Sequence, residues 1–159
     1  MQPSLNRTAA SATLHCLTGC AIGEILGLII GEALGWSSGQ TIVLAVVLAF
    51  IFGYSLSIRP VLKAGVALGT ALGVVLAADT LSIATMEIVD NAVMAMIPGA
   101  MGAGLNNPLF WWSMALSLAA AFVAAFPVNR YLLSRGKGHA LMHEYHHGSG
   151  DHADHEHHH

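Results

Sequence analysis

The pattern in this chain that is best able to do chemistry is His15-Cys16-x-x-x-Cys20-x-x-x-Glu24. Cys16, Cys20 and Glu24 follow i, i+4, i+8 spacing, so on a helix they stack on one stripe. Thiolate and imidazole are soft or borderline ligands that suit Cu(I) and Zn(II). Two cysteines one turn apart can hold one ion from the same helix and are poorly placed for a relaxed disulfide. Cysteine also packs as a small apolar residue, so the pair alone decides nothing. His15 and Glu24 tip the pattern towards a metal site or another functional site. Glu24 lies eleven residues beyond Thr13; a helix starting at Thr13 would place it about 16 Å along its axis, close to a bilayer centre. A carboxylate at that depth costs about 2.5–3.5 kcal/mol on insertion scales, and such residues mark ion or proton paths or hydrogen-bond across helices.

A second set of donors lies downstream. Asp79, Met86 or Glu87, Asp90 and Met94 recur at helical spacing. Levelling Glu24 with Asp79 gives a ladder of acids running from mid-membrane to one surface. Met86, Met94, Met96 and Met101 cluster towards the same end; thioether sulfur is a Cu(I) ligand, and methionine is also an adaptable filler. Glu87 and Asp90 equally suit an ordinary solvated helix end. The candidate metal ligands are therefore His15, Cys16, Cys20, Glu24, Asp79, Glu87, Asp90 and Met94. The sequence has no phosphate-binding glycine loop, serine nucleophile elbow or zinc-protease motif, and we expect no catalytic residue.

Elements must position these residues, and composition says in what medium. The 159 residues are 55% hydrophobic and 9% charged, against about 25% charged in a soluble domain. Four apolar segments, roughly 13–35, 41–58, 63–84 and 109–133, approach the 20 or so residues that a spanning helix needs. The expected fold is all-α: a polytopic four-transmembrane-helix bundle over residues 13–138, after a short lead (1–12) and before a tail (139–159). All six Lys and Arg (Arg7, Arg59, Lys63, Arg130, Arg135, Lys137) can lie on one side. By the positive-inside rule both termini and the central loop are cytoplasmic, in the inner membrane of a bacterium. A reducing compartment argues against a structural disulfide. The first segment is too long, and carries Glu24 inside it, to read as a signal peptide. No basic patch with interleaved aromatics exists, which excludes nucleic acid as a partner.

Packing is also legible. Gly19, Gly23, Gly27, Gly31 and Gly35 recur every fourth residue, and Gly65, Gly69 and Gly73 repeat the pattern. Small residues so spaced let helices approach closely. We expect the third helix to pack on the glycine face of the first, with homo-oligomer contacts through such faces, and the second helix to be a lipid-facing spacer. Arg59-Pro60 predicts a turn and a third helix starting near Val61. That helix should continue through Glu87 and Asp90 to Met96, either projecting from the membrane or folding back, until Pro98-Gly99. Trp36 and Phe110-Trp111-Trp112 suit the outer interface and Tyr131 the inner one. Pro127 should kink the last helix. Nine of the ten histidines fall from His139 onward, mixed with Asp151, Asp154 and Glu156. Only three consecutive histidines end the chain, which favours a mostly native tail over an appended tag. Such a tail is expected to be disordered without a ligand.

The run His15-Cys16-Leu17-Thr18-Gly19-Cys20-Ala21-Ile22-Gly23-Glu24, with Phe126-Pro127-Val128-Asn129-Arg130 and Arg135-Gly136-Lys137-Gly138-His139, resembles a family of small bacterial four-helix membrane proteins known as a domain of unknown function. The resemblance covers the chain to about His139. It implies the fold and not an activity; links of relatives with copper-oxidase domains imply copper. The first expectation is a membrane protein that transports or binds a transition metal, copper ahead of zinc, with the bilayer and the metal ion as its partners. A redox or cofactor-binding protein and an assembly subunit without chemistry are the rivals. The first of these normally needs two intramembrane histidines for haem, where only His15 is near the bilayer.

Overall fold

The computed structural model describes residues 3–63, 65 and 67–134. The histidine-rich tail over 139–159 lies outside the described residues. Within them the chain is all-α, with α1 (Pro3–Leu34), α2 (Ser38–Lys63), α3 (Leu68–Met96) and α4 (Pro108–Ser134). Three stretches are long and apolar enough to cross a membrane: Leu5–Leu34, Ser38–Arg59 and Pro108–Ser134.

The helix ends follow from local chemistry. Gly35 adopts φ +66°, and its amide and that of Trp36 donate to the Glu32 and Gly31 carbonyls at 3.2 and 2.9 Å. This is a Schellman closure, which satisfies carbonyls that a helix end leaves orphaned. At the start of α4, the Asn107 side-chain oxygen accepts the Leu109 amide at 3.0 Å, and Pro108 takes the first helical position, where its missing N–H is harmless. Two expected boundaries are corrected. α1 begins ten residues earlier than Thr13, at Pro3. α2 runs through Pro60 to Lys63, and the break comes at Gly65, with φ +83°. Packed neighbours can hold a membrane helix together across a proline. α3 is one continuous helix to Met96 rather than a span with a folded-back piece; Ile97 turns to an extended conformation and Gly99 to φ +81°.

The glycine row of α1 packs on α2, not on α3. A Cβ on Gly19 would lie 2.5 Å from the Gly53 backbone, and one on Gly27 2.6 Å from Ala45 Cα. Gly23 and Gly31 meet Ala49 and Thr41 at least as closely. The partner numbers fall as the α1 numbers rise, so the two helices form an antiparallel hairpin in backbone contact. α2 is therefore a structural partner of α1, not only a lipid-facing spacer. Gly69 and Gly73 face open space.

α3 lies parallel to α1 and joins the hairpin where Ile83 fills the space over Gly53. α4 closes the bundle with a stripe of Phe110, Met114, Ser117, Ala121, Ala125 and Asn129. At one end, Asn129 Nδ2 donates to Thr13 Oγ1 at 2.8 Å, and Thr13 donates to the Ala9 carbonyl at 2.7 Å. This antiparallel order gathers the described cations Arg7, Arg59, Lys63 and Arg130 at that end, and Trp36 and Trp111 at the other. Large apolar side chains point outward, with Val43 64% and Val123 72% exposed, while the interior holds Thr13, Asp79, Ser82, Glu87, Asp90, Ser113, Ser117 and Asn129. An apolar exterior of this extent suits a membrane rather than water.

If the α1–α2 contact carries the fold, Gly23→Ala destabilises the detergent-solubilised protein by about 1–3 kcal/mol, because the Ala49 backbone cannot yield. Gly73→Ala, in open space, leaves the melting temperature within experimental error. Thermal unfolding followed by circular dichroism compares the two.

Candidate functional site

α1 presents two stripes. Gly19, Gly23 and Gly27 go to α2, and the neighbouring stripe of Cys16, Cys20 and Glu24 goes to α3. Three levels result, because the helices run parallel and partner numbers rise together. At the first level Cys16, fully buried, meets Asp79 and Ser82 of α3; its Sγ is 3.9 Å from Ser57 Oγ of α2. At the second, Cys20, 2% exposed, lies beside Glu87, and its Sγ is 4.0 Å from Met86 Sδ. At the third, the Glu24 carboxyl faces that of Asp90 within hydrogen-bond reach. Each level thus pairs one α1 donor with one α3 acid.

The acids are short of partners. Asp79, Glu87 and Asp90 are 7%, 5% and 4% exposed. Yet Glu24 Oε1, Asp79 Oδ2, Ser82 Oγ, both Glu87 carboxyl oxygens and Asp90 Oδ1 are buried without a hydrogen bond. Leaving a buried polar group unsatisfied costs about 1–3 kcal/mol, more when it is charged. Six such atoms lie along this one seam.

Beyond the third level the column opens into a cavity of about 210 Å³ near the Trp36 end. Glu24, Glu87 and Asp90 form its inner end, and Glu32, Trp36 and Met101 stand towards its mouth. No described Lys or Arg lines it.

The expected site is thus assembled in part and shifted in register. Cys16, Cys20, Glu24, Asp79, Glu87 and Asp90 share one column. Asp79 is level with Cys16, not with Glu24, so acids and thiols alternate rather than forming a ladder of acids beyond the thiols. His15 is exposed, with Nδ1 2.7 Å from the Ser11 carbonyl oxygen; it lies outside the column, close enough to Asp79 to act on it electrostatically. Met94 lines the cavity. The methionines do not form one cluster: Met86 is buried beside Cys20, while Met96 is 82% exposed. Ser57 of α2, expected only as part of a lipid-facing spacer, reaches the first level of the column. Ser57 and Ser82 were findable only as polar residues interrupting apolar helices. Among the described residues no three of His, Cys, Asp and Glu converge to hold a metal ion; the donor sets are pairs, joined by Met86 or a serine hydroxyl.

The chain belongs to a family described as a domain of unknown function (DUF4396), which matches residues 5–138. No curated protein and no solved structure matches it.

The unpartnered carboxyl of Glu87 predicts a trade of stability for function. Glu87→Met, which removes a buried acid and keeps an apolar volume, should raise unfolding stability by about 1–3 kcal/mol. Chemical denaturation in mixed micelles measures this, and an unchanged or lowered stability would show that Glu87 is satisfied in the folded protein.

Proposed function

We propose that this DUF4396 protein is an integral membrane protein of four spanning helices that binds and passes a soft transition-metal cation, Cu(I) ahead of Zn(II). The termini and the α2–α3 connection lie on the cytoplasmic side, as the gathered Lys and Arg favour. The observation that carries the reading is the column itself: buried sulfur from Cys16, Cys20 and Met86 interleaved with buried acids whose oxygens lack partners. Sulfur donors select Cu(I) and Zn(II). Two sulfurs each about 2.3 Å from one ion stand roughly 4 Å apart, and Cys20 Sγ and Met86 Sδ are 4.0 Å apart. The carboxyls balance cation charge that apolar surroundings would otherwise repel.

Pairs of donors at successive levels favour passage over storage. A closed four-ligand site retains its ion, whereas conduction requires several sites, each weak enough to release. His15 would stand at the inner mouth and Glu24, Glu87, Asp90 and Met94 towards the outer end. The histidine-rich tail would collect or buffer ions on the cytoplasmic side.

Elemental analysis of purified protein ending at His139 tests the reading, because the tail histidines would bind metal regardless. Copper or zinc should remain in near-stoichiometric amount and fall at least tenfold in Cys16→Ser/Cys20→Ser. Proteoliposomes of the same proteins should take up Cu(I) only when the cysteines are present. Equal metal content in both proteins sinks the proposed column. In the full chain, losing the tail should lower cellular copper tolerance without lowering folded yield; unchanged tolerance removes the collector role.

A further inference from the structure

The cavity beyond Glu24 differs in chemistry from the sulfur-bearing levels beneath it. Its inner end is acidic: Glu24, Glu87 and Asp90. Its walls are carbon, with Leu28, Ile42 and Phe110 facing the same space. An acidic cluster alone is no site. Here a second observation accompanies it, since Glu87 and Asp90 are more than nine-tenths buried and carry oxygens without hydrogen-bond partners, at the end of a built cavity.

We propose that this cavity binds a small organic ammonium ion. The acids call for a cation, and no described Lys or Arg competes. A hard metal ion wants about six to eight oxygen ligands around it, whereas this cavity has three acids at its inner end, Glu32 apart from them towards the mouth, and hydrocarbon along much of the wall between. An ammonium bearing methyl or methylene groups matches that division. Its charged head meets Glu24 and Asp90, and its carbon substituents meet Leu28, Ile42 and the Phe110 ring, which attracts cations by its face. A volume of about 210 Å³ is several times the roughly 30 Å³ that a liquid water molecule occupies, so it admits a cation of several heavy atoms. Pockets for small molecules are commonly apolar with a few convergent polar groups. Met94 and Met101, flexible and polarizable, line the cavity beside the half-exposed Trp36.

The site shares Glu24, Glu87 and Asp90 with the outer end of the proposed metal path but none of its sulfur ligands, so ammonium binding and metal retention by the cysteines can fail separately. The test is titration of the full-length protein in detergent, at physiological salt, with choline and tetramethylammonium, followed by tryptophan fluorescence; K⁺ and Mg²⁺ are the comparison ions. We expect saturable binding of the ammonium ions, at least tenfold tighter than K⁺. It should weaken tenfold or more in Glu24→Gln and in Asp90→Asn, and stay unchanged in Cys16→Ser/Cys20→Ser. Leu28→Phe, which fills the cavity and keeps every acid, should also abolish it, and Trp36→Phe should remove most of the signal without changing calorimetric affinity. Three results overturn the proposal: ammonium ions binding no better than K⁺, Mg²⁺ displacing them at equal concentration, or binding that survives both the acid and the cavity-filling substitutions. None of these bears on metal retention by the cysteines, which is read separately by elemental analysis.

Discussion

The backbone contact between α1 and α2 is the constraint on which the remainder of the structure depends. Glycine at 19, 23, 27 and 31 brings the two helices so close that a single Cβ would strike the partner's backbone or the Thr41 side chain. In an apolar medium no hydrophobic effect drives helices together, and close packing of small residues takes its place. Once α2 occupies the glycine stripe, the rotation of α1 about its axis is fixed. The stripe of Cys16, Cys20 and Glu24 lies about 60° round the helix from it, at about 100° per residue. That stripe then faces inward, where α3 must supply whatever meets it. What α3 supplies is Asp79, Met86, Glu87 and Asp90. The chemistry of the core follows from the glycines next to it.

The same arrangement explains why the interior is polar and the exterior apolar. A bundle in water buries its large aliphatic side chains; here many of them, Val43 and Val123 among them, stand outside. The inner face holds small residues, a few large ones such as Ile83, Met86, Phe110 and Met114, and two thiols and four acids at the seam of α1 and α3. Such a seam is unfavourable as packing. Each unpartnered oxygen opposes folding by an amount comparable to a sizeable share of a marginal stability. The contacts that offset it lie elsewhere, in the α1–α2 hairpin and in the Thr13–Asn129 tie at the other end of α4. Strongly packed helices around a poorly satisfied seam is the pattern expected when a protein keeps polar groups for a purpose other than holding itself together.

How much of this was legible in the sequence depends on the kind of question asked. The all-α class and the presence of long apolar helices were, because apolar length is a local property; the helix limits were not, since α2 runs on through Pro60. The stripe of Cys16, Cys20 and Glu24 was legible, because helical periodicity places residues four apart on one face. Register between helices was not. The expected levelling of Glu24 with Asp79 rested on helices starting near Thr13 and Val61. α1 in fact begins earlier, at Pro3, and α3 later, at Leu68, and Asp79 comes level with Cys16. The polar lead over residues 3–12 contains nothing that stops a helix, and apolar length alone cannot reveal that it is helical. Partner choice was equally hidden. Two glycine rows, in α1 and α3, suggest pairing with each other, yet Gly53, Ala49 and Ala45 of α2 form the complementary surface. Small residues mark that a close approach occurs, and nothing in their spacing names the partner.

The order of donors along the seam has a consequence of its own. Sulfur occurs at the first two levels and carboxyl oxygen at all three, with only oxygen at the third. A cation moving along the proposed path would exchange soft ligands for hard ones as it nears the cavity, so its hold weakens towards that end if it is a soft ion. The gradient has the opposite sense for a hard ion, which would meet poor ligands first and its best ones at the cavity. On the proposed path the seam would discriminate by the sequence of its ligands rather than by any one of them, which accords with donor sets that are pairs. Selectivity of this kind needs the levels to stay in register. Register is held by the parallel packing of α1 and α3, and that packing in turn by the glycine contact that orients α1.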